Sequence, residues 1–436
     1  MARQKSTPLR TALSRMFPAA QLRRLAVSTG LVRRRRRLDP VAFFWTLILT
    51  LDGSRPRSFA DLRRSYERIT GVRISASSFY NRFTPALSRF LQQLLVLGLE
   101  KLQRGAERTS ALLGPIREIL CVDSTVVRLH DALARCWPAC RTNHTVAAVK
   151  LHTVLNVRGR GPQRVKITSE RVHDGPVLRA GQWVKGRLLL FDLGYFRYQL
   201  FATIHQQGGF FLTRLKDNAN PVLLRLLRRH RGRALAVEGQ ALREIRARLQ
   251  RSLLDAEAEI SFQRRRYAGK RRGDRMHVRI VGLRDDQRGG YHWYITNLPA
   301  ETVKAEDIGK IYAARWLIEL LFRELKHCYQ LEALPSRKSH VVEALLYASL
   351  LTLIASRSLL QALHRWGHLA HRRIPLERWA RLFVSAAPDL LALVLDSVPM
   401  ARLRERPLLQ FFIAEAPDPN TKRKLLLDRT GLQWAA

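Results

Sequence analysis

The chain has 436 residues, 46% of them hydrophobic, which is enough for two or three domains with apolar cores. It carries 77 Lys and Arg against 35 Asp and Glu, a formal net charge of +42, and this excess favours a partner rich in phosphate groups. Four cysteines in a chain of this length argue against a disulfide-stabilised secreted protein.

The first 115 residues or so are predicted to be helical. Five consecutive arginines, Arg33 to Arg37, precede an apolar run from Phe43 to about Leu51. No apolar stretch followed by a cleavage site stands at the N-terminus, so we expect no signal peptide. We expect a cytoplasmic protein associated with the nucleoid.

Two short helices joined by a turn are predicted between residues 58 and 83. Ser58 with Asp61 three residues later can cap the first helix, Gly71 can end it, and Ser75 or Ser77 can cap the second. This arrangement is typical of a DNA reader that places a helix in the major groove. An ordinary helical hairpin is the alternative.

From about residue 116 the pattern changes to short strands, two of which end on an aspartate. Ile119–Val122 is apolar and is followed by Asp123, and Leu188–Phe191 is apolar and is followed by Asp192. Other predicted strands are Ala147–Val157, Val165–Thr168 and Gly209–Leu215. Strands that alternate with helices predict a mixed α/β sheet.

Residues 220 to 300 are predicted to form a mostly β insertion into that α/β domain. The segment begins with a basic piece, Leu223 to Arg248, that we expect to be helical. Alternating segments follow at Ala256–Phe262, His277–Leu283 and Tyr291–Thr296. The arginines between 264 and 272 indicate a basic hairpin.

The chain is predicted to become helical again after residue 335. The apolar run Ala344 to Ala355 is too short to span a bilayer and predicts a buried helix, within a main core helix from Val341 to Trp366. The expected division is therefore a helical region 1–115, a catalytic domain 116–335 interrupted by the insertion 220–300, and a helical region 336–436. No membrane association is expected.

Two weaker candidate sites also occur in the sequence. Cys136, Cys140 and His144 have a loosely zinc-like spacing, but no second cluster completes the four ligands of a closed zinc site. Asp174, after His173, is an acidic residue that we interpret as a loop or cap residue and not as a metal ligand.

Tyr312, Arg315, Glu319 and Lys326 form a polar stripe on one predicted helix. At about 100° per residue their spacing places them within about 60° of one another, while apolar residues fill most of the remaining circumference. A single carboxylate flanked by two cations and a phenol suits metal binding beside phosphate contacts.

Asp123, Asp192 and Glu319 are the candidate catalytic residues and metal ligands. Carboxylates at strand ends lie at the rim of a sheet, where a later helix can meet them. Three of them could hold two divalent ions about 4 Å apart, and oxygen ligands favour Mg²⁺, with Mn²⁺ as a substitute. A strand-terminal Asp is more often a turn or cap residue, so the ordered set of three carries the prediction.

The spacing Tyr-x2-Arg-x3-Glu-x6-Lys resembles the YREK motif of DDE transposases of the insertion-sequence-four family, and Asp123 in CVDST and Asp192 in LLLFDLGYF match the first two acidic motifs of that family. The resemblance covers roughly residues 116 to 335. It implies an α/β RNase H-like catalytic domain with a mostly β insertion, flanked by helical N- and C-terminal regions. It also implies cleavage at terminal inverted repeats, cut-and-paste movement and a hairpin intermediate.

The resemblance further implies DNA contacts outside the three carboxylates. Tyr312, Arg315 and Lys326 would grip phosphates near the cleaved end, and Arg323 faces the same way on the helical wheel. A hairpin needs a base held outside the stack, and Trp293, 19 residues before Tyr312, stands about where the family places its stacking tryptophan. The alternatives are an inward-facing strand residue for Trp293 and a surface ion pair for Arg323.

The predicted function is Mg²⁺-dependent cleavage and strand transfer on double-stranded DNA by a transposase, acting on terminal inverted repeats and target DNA as a homodimer. The first alternative is a DNA-binding protein that has lost catalysis. The second is a nuclease of the same fold that hydrolyses without joining, and the third is a basic RNA-binding or ribosomal protein, which would leave the three carboxylates unexplained.

Overall fold

The computed structural model describes residues 8–33, 38–51, 57–104, 115–140, 145–159, 161–228, 236–267, 270–285, 287, 289–369, 372–395 and 401–420. The strands are β1 (Glu118–Arg128), β2 (Ala148–Asn156), β3 (Gly161–Ser169), β4 (Arg187–Phe191), β5 (Phe210–Arg214), β6 (Val222–Leu226), β7 (Leu253–Tyr267), β8 (Lys270–Asp285) and β9 (Gly290–Thr296). The helices before β1 are α1 (Pro8–Met16), α2 (Ala19–Ser28), α3 (Pro40–Leu49), α4 (Phe59–Thr70), α5 (Ala76–Tyr80) and α6 (Pro85–Arg104). The later helices are α7 (Asp174–Val177), α8 (Tyr198–Gln206), α9 (Leu242–Arg248), α10 (Ala305–Ala313), α11 (Trp316–His327), α12 (Ser339–Arg365), α13 (Leu376–Ser385), α14 (Ala387–Leu395) and α15 (Ala401–Glu415).

The nine strands within the described residues belong to one sheet, in the order β3-β2-β1-β4-β5-β9-β8-β7-β6. β1, β4 and β5 are parallel to one another. On the other side of β1, β2 pairs antiparallel with β1, and β3 pairs antiparallel with β2. β9 pairs antiparallel with β5 and links the remaining strands to the sheet. The expected mixed α/β architecture is therefore confirmed.

The segment 220–300 is mostly β, as expected, but its strands extend the central sheet. The prediction of a helix from Leu223 to Arg248 was wrong in its first part, because Val222–Leu226 forms β6 and pairs with β7. A β-bulge between Leu223 and Arg225 puts Val222 and Arg225 on the same face of β6. Both are exposed whereas Leu223 is fully buried, so this short edge strand buries its other face. Among the described residues of this piece, Leu242–Arg248 is helical.

The strand that carries Asp123 also continues further than expected. β1 runs on from Asp123 to Arg128, because β2 remains paired with it over that whole length. Its parallel pairing with β4, however, ends at Val122 opposite Phe191. Asp123 therefore lies in mid-strand, at the level where the neighbouring β4 ends.

The helical N- and C-terminal regions pack together as one layer. α6 and α12 run along each other, and α12 also contacts α1 and α3. Leu94 on α6 and Leu351 on α12 belong to the same buried cluster as Cys121 on one face of the sheet. A second cluster, with Val122 and Phe201, covers the opposite face.

Helix α12 confirms the expectation of a buried core helix, although it is longer than the apolar run that predicted it. Among the helices that the structure describes, it has the length and mean hydropathy (1.5) that crossing a membrane requires. In this fold, 78% of its most apolar window is buried inside the protein.

The predicted pair of short helices is present between residues 58 and 83. Ser58 Oγ accepts the amide of Asp61 at the start of α4, and Gly71 ends that helix at φ 69°. Ser75, and not Ser77, caps α5. α5 has only five residues and buries Phe79 in the core, so it is a short element for reading a major groove, and that role stays a prediction.

Candidate active site

The first two acidic residues stand side by side because of the strand register. Val122 and Phe191 are partners in the parallel β1–β4 pair, so Asp123 and Asp192 follow at the same level on neighbouring strands, which lie about 4.8 Å apart in a sheet. Asp123 shares its sheet face with Cys121, whose thiol donates to the carbonyl of Ala314 at 3.3 Å. Asp123 therefore faces the junction between α10 and α11.

The sequence predicted one helix for the polar stripe, but in the structure the stripe extends over two helices. α10 ends at Ala313 and α11 begins at Trp316. Between them i→i+3 backbone bonds appear, for example from the amide of Arg315 to the carbonyl of Tyr312, and such bonds tighten a helical turn. The backbone remains right-handed at Ala314 and Arg315, so the four side chains still meet the sheet edge.

Arg315 joins the first and third carboxylates. Its Nη2 lies 2.7 Å from Glu319 Oε1, and its Nη1 lies 3.6 Å from Asp123 Oδ2. The Arg315 and Asp123 side chains are 15% and 20% exposed. The guanidinium thus acts as a counter-ion inside the acidic cluster, in a partly desolvated position where charge interactions are strong.

Burial raises the pKa of Asp123 from 3.8 to about 6. The amide of Ser124 and the Arg315 guanidinium oppose this increase, whereas the charges of Asp192 and Glu319 add to it. The negative charges of Asp192 and Glu319 therefore both act on Asp123. A cluster of like charges in a partly buried site favours the binding of cations.

Tyr312 and Lys326 are tied to the ends of the same two strands. The Tyr312 hydroxyl donates to the carbonyl of Phe191 at 3.1 Å, and burial raises the pKa of Tyr312 to about 12. Lys326 Nζ donates to the carbonyl of Val126 at 3.1 Å and pairs with Glu332 at 2.8 Å. In this state both groups hold α10 and α11 against β4 and β1, and their contacts with phosphate stay predictions.

A buried ion pair fixes α11 from its other side. Glu324 on α11 and Arg357 on α12 are 2% and 1% exposed and form a short hydrogen-bonded pair. The pair joins the helix that carries Glu319 to the core helix of the protein. The position of α11 is therefore fixed on one face by contacts with the sheet and on the other face by the ion pair with α12.

Two of the expected DNA contacts have other partners in this structure. Trp293 is 9% exposed, its ring packs where a side chain at Gly282 would stand, and Arg246 lies 4.8 Å above its centroid. Arg323 pairs with Glu377 at 3.0 Å. In this structure both side chains therefore follow the alternatives drawn from the sequence. Trp293 is an inward-facing strand residue, and Arg323 forms a surface ion pair.

Asp174, interpreted from the sequence as a loop or cap residue near the site, contacts Ser124, the neighbour of Asp123. It does begin the short helix α7, but its Oδ1 accepts the hydroxyl of Ser124 at 2.7 Å and lies 3.3 Å from His152 and 3.5 Å from Lys150. Burial raises its pKa, but hydrogen bonds from His152 and Ser124 and the Lys150 charge outweigh burial and lower it to about 2. No sequence signal links Asp174 to Ser124, because the contact depends on the packing of α7.

The cysteine spacing does not produce a zinc centre in the part that is described. Cys136 and Cys140 are exposed thiols, and Cys140 Sγ donates to the carbonyl of Glu170. His144 lies outside the described residues. Among the described residues no group of three or more potential metal ligands forms around these thiols, whereas a closed zinc site needs four.

The acidic cluster fits a hard divalent cation by its donor chemistry. Asp123, Asp192 and Glu319 supply only carboxylate oxygens, which Mg²⁺ and Mn²⁺ prefer. Within the described ranges no three acidic, histidine or cysteine side chains are already arranged around a common metal position, because Arg315 occupies the place between Asp123 and Glu319. An incoming cation would take over the neutralising role of that guanidinium.

Residues 114–355, more than half of the chain, match the protein family described as "Transposase DDE domain". The transposase for insertion sequence element IS231B of Bacillus thuringiensis subsp. berliner is 24% identical over 389 residues, which cover 79% of this chain and 78% of that protein. The transposase for element IS231C of the same organism is 23% identical over 400 residues, covering 83% and 81%. The putative transposase y4zB of Sinorhizobium fredii (strain NBRC 101917 / NGR234) is 26% identical over 231 residues, covering 53% and 57%.

Among solved structures, the cryo-EM structure of the piggyBac transposase synaptic complex with hairpin DNA has a TM-score of 0.47 and 11% identity, covering 97% of this chain and 88% of that one. The IS231 relatives are of the insertion-sequence-four type, which confirms the family resemblance drawn from the motifs. Members of the family cleave DNA and transfer strands, and their DDE domains generally use divalent metals. The chain belongs to the DDE transposases of insertion sequence elements.

Proposed function

We propose that this transposase binds the terminal inverted repeats of its element and performs Mg²⁺-dependent cleavage and strand transfer at Asp123, Asp192 and Glu319. The observation that carries the proposal is the convergence of these carboxylates: Asp123 and Asp192 stand at one level of the parallel pair β1–β4, and Arg315 joins Asp123 to Glu319 on α11. We also propose an RNase H-like core, which the parallel strands β1, β4 and β5 with antiparallel β2 and β3 support.

The three carboxylates would hold two Mg²⁺ ions, for which Mn²⁺ can substitute. Bound there, the ions would supply Lewis-acid stabilisation of the charge that develops at the reacting phosphorus. Asp192 is the most accessible of the three, whereas Asp123 is mostly buried and its pKa is about 6. A cation at the site favours ionised Asp123, so metal binding and deprotonation of Asp123 are coupled.

The cations beside the carboxylates would position the DNA. Arg315, once its place between Asp123 and Glu319 is taken by metal, can turn its planar guanidinium to a phosphate near the cleaved end. Lys326 can exchange Glu332, which is half exposed, for a phosphate. Tyr312 keeps the end of β4, and therefore Asp192, in place through Phe191.

A hairpin intermediate would require Trp293 to accept a base. Its ring is now covered by Arg246, and a planar base can replace a planar guanidinium on an indole face. We propose that the reaction is of the cut-and-paste type and that two copies of the chain act together on paired ends. We also propose that the enzyme works on nucleoid DNA in the bacterial cytoplasm, a partner that suits the net charge of +42.

The test is cleavage of a labelled duplex that bears the terminal inverted repeat, with Mg²⁺ or with EDTA, by wild type and Glu319→Ala. Cutting at the element end that requires metal and is lost in Glu319→Ala, while DNA binding persists, is the expected result. A denaturing gel of the same reaction reveals whether a hairpin forms. Binding without cutting by wild type in Mg²⁺ and Mn²⁺ would instead indicate a catalytically silent DNA-binding protein.

A further inference from the structure

A cavity of about 500 Å³ lies between α3, α4 and α14, among the helices and apart from the acidic cluster. Three arginines line it, Arg57 just before α4 and Arg64 and Arg68 on α4, with Asp61 as the acidic side chain in its wall. Thr50, at the end of α3, also faces it. No motif in the sequence points to this site.

Arg57 is the unusual member of the cavity wall. Its side chain is 6% exposed, and its Nε and Nη2 atoms have no hydrogen-bond partner among the described residues. The Thr50 hydroxyl is buried there and is likewise without a partner in the described part of the chain. Burial lowers the pKa of Arg57 to about 10, so the group remains a cation at neutral pH. Burying a cation without a partner costs free energy. An anion bound beside Arg57 would reduce that cost.

The remaining charges of the cavity also favour an anion. Arg64 and Arg68 are exposed and one helical turn apart, so both can reach the cavity mouth. The Asp61 carboxylate is already engaged, since it accepts the Ser58 hydroxyl and an Arg64 Nη2 hydrogen, each at 2.5 Å. Three guanidinium groups and one carboxylate line the cavity, so two positive charges remain after Arg64 has been matched with Asp61. Guanidinium forks match the oxygen geometry of phosphate.

We propose that this cavity binds a phosphate of the DNA backbone, with Arg57 as the buried donor and Arg64 and Arg68 at the entrance. The inference rests on the proposed binding of DNA by this chain. α4 is the first of the two short helices, and in helix-turn-helix proteins the first helix crosses the DNA backbone. The cavity thus fixes the helical region on the duplex, while base reading depends on other residues.

The first experiment measures thermal unfolding of the full chain in sodium phosphate and in sodium chloride at equal ionic strength. Phosphate stabilises folded proteins in general, so the Tm of both proteins can rise, but the rise is expected to be several degrees larger for the wild type than for Arg57→Gln. Without phosphate, Arg57→Gln should unfold no earlier than wild type, because it loses an unpaired buried cation. An equal phosphate shift in both proteins would overturn the proposal.

The second experiment distinguishes a DNA phosphate from free phosphate. Binding of a duplex with the terminal repeat is measured against salt, and the slope of log K on log salt should be about 0.9 smaller for Arg57→Gln than for wild type. Arg57→Lys, which keeps the charge, should restore most of the slope. Arg63→Gln is the matched control, because Arg63 lies on α4, pairs with Glu67 at 3.0 Å and does not line the cavity.

A phosphate-dependent Tm shift that is reduced in Arg57→Gln, with an unchanged salt slope, would mean that the cavity takes only free phosphate and would overturn the proposal. Cleavage is scored separately. If the wild type binds the repeat with the expected slope but does not cut it, the proposed catalysis fails while the phosphate cavity stands.

Discussion

Replacing Asp123 by Asn should make the stability of the protein depend differently on pH. In the native state the pKa of Asp123 rises from 3.8 to about 6, so the native state prefers the protonated carboxyl. Its contribution to stability is complete below about pH 3.8 and is lost as the pH rises through about 6. The pKa difference is about 2 units, which at about 1.36 kcal/mol per unit corresponds to about 3 kcal/mol.

Asparagine has the same shape and does not titrate, so it avoids this loss. Relative to wild type, Asp123→Asn should gain up to about 3 kcal/mol in the free energy of unfolding between pH 4 and pH 8. The measurement is urea unfolding at pH 4.5, 5.5, 6.5 and 7.5 in EDTA, followed by tryptophan fluorescence. Taking the difference between the two proteins removes the contribution of all other titrating groups.

The control is Glu377→Gln, which removes one carboxylate from the surface ion pairs with Arg323 and Arg381. Surface pairs contribute about 0–1 kcal/mol, so this variant should differ from wild type by a small amount at every pH. A constant difference between Asp123→Asn and wild type from pH 4.5 to 7.5 would refute the reasoning, since it would mean that Asp123 is not desolvated beside other carboxylates.

Three further predictions concern the elements that hold the site. Glu324→Ala should lower the free energy of unfolding by about 3–5 kcal/mol, because it leaves Arg357 charged in the core; a loss below about 1 kcal/mol in urea unfolding would contradict the anchoring role of this pair. Tyr312→Phe should cost about 0.5–1.5 kcal/mol of stability and slow single-turnover cleavage, and unchanged cleavage would show that the bond to Phe191 does not position Asp192. Arg315→Gln should bind Mn²⁺ about tenfold more tightly in calorimetry, since a competing cation worth about 1.4 kcal/mol is removed, and weaker binding would refute the counter-ion role.

The candidate catalytic residues were accessible from sequence because their signals are local. The polar stripe from Tyr312 to Lys326 and the two apolar runs that end on Asp123 and Asp192 are patterns within single elements. The proximity of Asp123 and Asp192 follows from parallel strand register, which places Asp123, in the middle of β1, level with the residue after the end of β4. The exact form of the helix was not accessible, because neither Pro nor Gly marks the junction between α10 and α11.

Features that depend on long-range packing could not be predicted from the sequence. β6 has no strand signal of its own, and it exists because β7 offers an edge to pair with. Trp293 has the same local sequence whether it is open or covered, and only the packing of α9 places Arg246 over it. Arg57 was equally unremarkable in a chain with 77 basic residues, since burial without a partner is visible only in three dimensions.

The central claim is that Asp123, Asp192 and Glu319 form one metal-dependent active site. The most direct measurement compares cleavage of the terminal-repeat duplex by Asp123→Asn, Asp192→Asn and Glu319→Gln with that by wild type and the Glu377→Gln control, with DNA affinity measured in parallel. Each of the three variants should lose at least about a hundredfold in the rate of cleavage, a loss of the order seen when a charge-stabilising group is removed, and should keep DNA affinity within a few-fold. Cleavage at the wild-type rate by any one of the three would contradict the assignment of that carboxylate to the site.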